Sequence, residues 1–214
     1  MTDSACVPLV SCPQCGARVP AVDGPTHPYY GAAPGCWALY REVLARAFGD
    51  YRFARLQRLT ADAYAAPHPG QADDRRAVQS VAVHLIGLAL SLAPPPTLAP
   101  GRSLAPLRQA AANGSAMYRW LPLLADLGAV TVADVHAAVP SVALAQALST
   151  TDEARGDRAD KGAGDGAGQD ARAHLAAVQR WGESVWQAWA PHHAEVRRWT
   201  AALLDAPTQS LRRR

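Results

Sequence analysis

Cys12-Pro13-Gln14-Cys15-Gly16-Ala17, followed by Gly24-Pro25-Thr26-His27-Pro28-Tyr29 and by Gly35-Cys36-Trp37, is the stretch on which the reading of this chain turns. A Cys-x-x-Cys pair on a tight turn points two sulfurs at one ion, and a glycine after the second cysteine lets backbone N–H groups approach the thiolates. A structural zinc takes four ligands, and no second Cys-x-x-Cys follows. His27 and Cys36 are the nearest replacements, so the expected Zn2+ site is Cys12, Cys15, His27 and Cys36. Cys36 falls where a helix should begin, and the helix dipole favours its thiolate there. Two free thiols on a loop are the plain alternative. A thioredoxin-like redox pair would sit at a strand-to-helix junction, and no strand is predicted. Residues 12–35 are dense in Gly and Pro, which predicts a knuckle and irregular loop.

Beyond this block the chain reads as helices. Trp37, Tyr40, Val43, Leu44 and Ala47 recur at helical spacing and Gly49-Asp50 ends the run. A second helix is predicted over 52–66, stopped by Pro67-His68-Pro69-Gly70. Asp73 or Asp74 caps a third helix to about Leu92, with a stripe of Val78, Val81, Leu85, Leu88 and Leu92. His84 lies on the adjacent face with Ala77, Ser80 and Gly87, small residues that admit a close neighbour or leave room beside the imidazole. Pro94-Pro95-Pro96 opens a stiff connection, and a short helix is expected over 104–112. Thr131-Val132-Ala133-Asp134 resembles a capping box for a helix over 132–139, with another over 141–148. The last helix spans 171–206 with Val178, Trp181, Val185, Trp189, His192, Val196, Trp199 and Leu203 on one face, kinked by Pro191. The tryptophans at 181, 186, 189 and 199 read as core.

The expected fold is therefore all-α, an irregular helical bundle with an N-terminal Cys/His zinc-knuckle-like loop. Residues 1–11 form a leader, 149–170 a disordered insertion with almost nothing to bury, and 207–214 a basic tail. Hydrophobic residues make up 49% of the 214, ample for a core. The net charge of +3 is partly terminal arginine, and Lys161 is the only lysine. No basic stripe with interleaved aromatics is present, which argues against nucleic acid. The longest apolar run, Val78 to Leu92, is too short for a membrane span, and the N-terminus lacks the charged and apolar regions of a secretory signal. A cytoplasmic protein is expected. The weight of Ala, Arg, Gly and Pro matches a high-GC bacterial genome.

A second constellation comprises His68, His84, His192 and His193, with Asp62 and Glu195 as oxygen ligands. Helical bundles build metal sites by projecting such side chains inward from facing helices. His192 is aligned with the tryptophan face, whereas His193 follows Trp186 on a flank. His136 and His174 read as surface residues. No phosphate-binding glycine loop, Gly-x-Ser-x-Gly elbow or His-Glu-x-x-His is found.

Taken together, the Cys12–Ala17 motif, Gly24-Pro25-Thr26-His27, Gly35-Cys36-Trp37, Asp62-Ala63-Tyr64 with His68-Pro69-Gly70, Gln79 to Leu85, Thr131 to Val135 and Trp186-Gln187-Ala188-Trp189 with His192-His193 resemble the bacterial family DUF5946. The chain departs from that pattern at Ala66-Pro67, so no polar role is carried over to position 67. The family is one of unknown function. The resemblance draws attention to His27, Asp62, His68, His84 and His192 and implies no reaction.

Three functional readings follow. The first is a zinc-stabilised module whose helical surface or pocket binds a protein or small-molecule partner. The second is a metal-dependent hydrolase or transferase, with Asp62, His68, His84, His192 and His193 as candidate catalytic residues around an open metal position. The third is a metal-free helical scaffold. His27 could belong either to the cysteine site or to the histidine cluster.

Overall fold

A computed structural model describes residues 7–99, 103–122, 130–138 and 164–205. Cys6, the expected helix over 141–148, the first part of the expected insertion (149–163) and the basic tail lie outside those residues. The described chain is mostly helical. Two strands, β1 (Leu9–Ser11) and β2 (Arg18–Pro20), precede helices α1 (Pro34–Gly49), α2 (Leu56–Ala65), α3 (Arg75–Leu92), α4 (Ala105–Asn113), α5 (Val132–Ala138), α6 (Gly164–Ala188) and α7 (His193–Asp205).

The hairpin corrects the expectation of an irregular N-terminal loop. β1 and β2 pair antiparallel, Val10 opposite Val19, and the cysteine knuckle is their turn. Cys12 N–H donates to Ala17 O and Gly16 N–H to Cys12 O, both at 2.9 Å, and Gly16 takes φ +69°, open to glycine at no steric cost. Three residues per strand are too few for alternation to show in the sequence, and the turn chemistry of the knuckle sets the pairing instead.

Local signals account for the helix ends. Asp74 accepts from Arg76 N–H at 2.9 Å to start α3, and Asp134 accepts from both Thr131 N–H and Thr131 Oγ at 2.7 Å ahead of α5. The predicted second helix divides into a 3-10 turn at Tyr51–Phe53 and α2. The last helix begins at Gly164 and is broken near Pro191, where a 3-10 turn (Ala190–His192) separates α6 from α7. Proline removes a donor, and the tighter turn changes the helical phase. Val178, Trp181, Val185, Trp189, Val196, Trp199 and Leu203 are buried, but His192 leaves their stripe.

α2 packs against α1, α3 and α6, α5 against α1 and α6, and α3 against α4 and α7. The four tryptophans 181, 186, 189 and 199 are core residues, as expected. His174 is not a surface residue. It precedes Val178 by four positions on the buried face of α6 and meets Phe53 edge-on at 4.9 Å. Burial, with Arg46 adding to it, pulls its pKa down to about 4.

Gly87 of α3 is where α2 comes closest. A β-carbon there would overlap the carboxylate of Asp62, a fully buried residue. Gly87→Ala is expected to cost about 1–3 kcal/mol, the usual penalty of overpacking a filled interface. A thermal melt should fall by roughly 2–4 °C for each kcal/mol in a chain of this size, and an unchanged midpoint would show that α2 and α3 can separate freely.

Candidate metal centre

Three segments meet at the sulfurs. The hairpin turn supplies Cys12 and Cys15. Cys36 is the third residue of α1, within the first turn where the helix dipole favours a thiolate. His68 comes from the turn after α2, where His68 N–H donates to Ala65 O at 3.1 Å and Gly31 N–H to His68 O at 3.4 Å. Pro67 and Pro69 restrict the backbone on either side. The imidazole is held at its inner face: Nδ1–H donates to Tyr64 O at 2.5 Å, and the ring stacks on Tyr64 with centroids 4.2 Å apart. With the proton on Nδ1, the lone pair of neutral His68 is on Nε2, aimed at the sulfurs. Metal-binding histidines are commonly oriented in this way.

The four donor atoms lie within 4.8 Å of one another, and all four residues are buried. Cys36 Sγ is 3.3 Å and Cys12 Sγ 3.6 Å from His68 Nε2, and Cys15 Sγ is 3.7 Å from Cys36 Sγ. Bonds of about 2.3 Å to sulfur and about 2.0–2.1 Å to nitrogen at tetrahedral angles imply S···S edges of about 3.8 Å and S···N edges of about 3.5 Å. These three separations are close to those edges, and the other donor pairs lie within 4.8 Å. They are far longer than the roughly 2.05 Å of a disulfide, and the three thiols are free.

The electrostatics favour a cation. Hydrogen bonds from Cys15 and Cys36 drive the Cys12 thiol well below its ordinary pKa, while hydrogen bonding to Cys12 and Cys15 drives Cys36 well above. The group thus stabilises a negative sulfur at Cys12, to which Ala33 N–H also donates at 3.5 Å. Burial pulls the His68 pKa down, but contacts with the Cys12 and Cys15 thiols outweigh it and push the value up to about 9. Without an ion, the site draws a proton onto its one nitrogen. A divalent cation would satisfy the same charge with all three sulfurs deprotonated.

The structure brings Cys12, Cys15 and Cys36 together with His68. His27 is elsewhere, stacked on Tyr30 at 4.3 Å and accepting from Tyr29 N–H at 3.2 Å. The wider histidine group does not assemble. His84 faces Asp62, His192 Nε2 lies 2.8 Å from Pro122 O, and His193 Nε2 lies 2.9 Å from Trp186 O. Glu195 pairs with Arg119 and Arg198. Among the described residues, the Cys12, Cys15, Cys36 and His68 set is the one group whose donors could converge on an ion. The signal for His68 was its rigid Pro-His-Pro setting at a helix end, which fixes an imidazole more firmly than the loop around His27.

The family model described as "Family of unknown function (DUF5946)" matches residues 10–155, a span that contains all four donors. No curated protein and no solved structure matches the chain.

Proposed function

We propose for this chain, which belongs to the DUF5946 family, the role of a zinc-stabilised helical protein in which Cys12, Cys15, Cys36 and His68 hold one structural Zn2+. The observation that carries this reading is the convergence of four buried donors within 4.8 Å, with three of their separations close to the edges of a zinc tetrahedron. Three thiolates and an imidazole in that geometry suit zinc better than hard cations that prefer oxygen. Four protein donors close the coordination sphere, unlike the open position of a catalytic zinc, which disfavours the metal-dependent hydrolase or transferase. The ion would join the hairpin to α1 and to the end of α2. A groove between the end of α3 and α7, lined by Pro94, Pro95, Arg197 and Leu204, supports the reading of a surface that receives a partner. Three free thiols fit a reducing, cytoplasmic setting. No described helix is long and apolar enough to cross a membrane.

Metal content and cobalt substitution test the assignment. Wild type and His27→Ala should each hold one zinc per chain, and Cys12→Ser/Cys15→Ser should hold none. Cobalt-loaded wild type should show thiolate-to-metal charge transfer and four-coordinate visible bands. Loss of metal from His27→Ala, or a cobalt spectrum of higher coordination, would remove the ligand set or the closed site.

A further inference from the structure

Beside the metal centre, α2 and α3 enclose a second polar group. Asp62 Oδ1 lies 2.8 Å from His84 Nδ1 and 3.1 Å from Arg58 Nε, and its other oxygen has no hydrogen-bond partner among the described residues. The Arg58 contact is ionic only, since that nitrogen lacks a well-aligned hydrogen bond. A half-satisfied buried carboxylate is costly, and an apolar contact between these helices would be more stable. What the carboxylate accomplishes is orientation. An ionised Asp62 only accepts, so Nδ1 carries the proton of neutral His84 and the lone pair is on Nε2. The Asp62 side chain is wholly buried, whereas that of His84 keeps 13% exposure. His84 Nε2 lies 3.5 Å from the Tyr30 hydroxyl, too far for a strong bond to occupy the lone pair. Ser80, one turn before His84, also approaches that hydroxyl, and burial pushes the Tyr30 pKa up so that it stays a neutral donor.

A buried acceptor, an oriented imidazole and a nearby hydroxyl donor are the parts of a general-base site. We propose that Asp62 and His84 form a proton-transfer dyad that activates water toward small carboxylic esters, with Tyr30 as hydrogen-bond donor. His84 Nε2 takes a proton as the water oxygen forms a bond to the ester carbonyl carbon. Tyr30 donates to the oxygen that becomes negative. Collapse of that adduct breaks the bond to the leaving group, which departs as an alkoxide or phenoxide. The proton on Nε2 then passes to the leaving group or to solvent, giving acid and alcohol. Asp62 acts through His84 as a positioning residue. The dyad rests on α2 and α3 and does not use the metal.

The test is p-nitrophenyl acetate hydrolysis by the zinc-loaded full chain carrying Cys6→Ser, in which the other three thiolates are held by the ion. That chain should release p-nitrophenolate faster than seven equivalents of free imidazole, and His84→Gln should lower the excess by about tenfold or more. Asp62→Asn should lower the rate, because an amide can donate as well as accept and no longer fixes the proton of His84 on Nδ1. Arg58, Tyr30 and His27 are the other titratable or charged groups near His84, and they remain in both variants. Should either variant fail to fold, long-range 1H–15N spectra of wild type give a second measurement, in which the neutral ring of His84 should carry its proton on Nδ1. Full activity in folded His84→Gln, no excess in the parent chain, or a proton on Nε2 of the neutral ring would each overturn the proposal.

Discussion

His68→Ala should abolish stoichiometric zinc binding and lower the melting temperature of the metal-loaded chain by about 8–16 °C, taking a loss of about 4 kcal/mol at roughly 2–4 °C per kcal/mol. The imidazole makes its contribution in two ways. It is the only nitrogen among the converging donors, and its ring fills the space beside Tyr64, whose own hydroxyl has no partner among the described residues. Removing it leaves the ion with three sulfurs and no fourth protein donor, and opens a cavity at the end of α2. Structural zinc sites supply folding free energy outright, so the loss should exceed that of an ordinary buried histidine. Thermal unfolding followed by circular dichroism, with and without a chelator, checks the effect. Chelator should bring wild type close to the variant and leave the variant almost unchanged. A variant that keeps its metal and its midpoint would show that His68 is not a ligand.

Gly35→Ala is expected to weaken zinc binding by roughly fivefold to a hundredfold without altering any donor atom, the equivalent of about 1–3 kcal/mol of overpacking. A β-carbon at position 35 would collide with the carbonyl oxygen of Pro20, and Pro20 C and N lie close behind it, at 3.2 and 3.4 Å. All three are backbone atoms of β2, so no side-chain rotation relieves the clash. Either the start of α1 or the hairpin must move. One carries Cys36 and the other carries Cys12 and Cys15, whereas zinc tolerates donor displacements of only about 0.2 Å. Competition against a chromophoric zinc chelator measures the change. Gly24→Ala is the control, because a β-carbon there meets nothing within 4 Å. Equal affinities for the two variants would mean that the hairpin and α1 are not held in register by their contact.

The helical part of this fold was legible because periodic burial and end signals agree along the chain. Asp74 caps α3, Thr131 and Asp134 mark α5, and the apolar positions from Val178 to Leu203 fall on one buried face. Gly87, Ser80 and Ala77 were readable as the small face of α3, and Asp62 uses the space that Gly87 leaves. Three of the four donors were readable from the cysteine pattern. The fourth was not, because sequence proximity favours His27 while convergence depends on where the turn after α2 returns to the hairpin. His192 was misleading for a related reason: its alignment took the helix to be kinked at Pro191 but continuous in phase, and the 3-10 turn there changed the phase. His174 had the opposite fate, since its register with Val178 outweighed its polarity.

The contact between Cys12 and His68 spans 56 positions in the chain. An ion bound there closes a ring that contains the hairpin turn, β2, α1 and α2, while β1 and α3 to α7 lie outside it. The entropy of closing such a ring grows only slowly with its length, by about 0.6 kcal/mol per doubling. One coordination event can therefore restrict a quarter of the protein at little more cost than a short clip. Residues 12–68 would be tethered even while the outer helices open, and the end of α2 would be as constrained as the knuckle itself. With the ion bound, residues 12–68 would form a cross-linked head, and its boundary would fall just before α3.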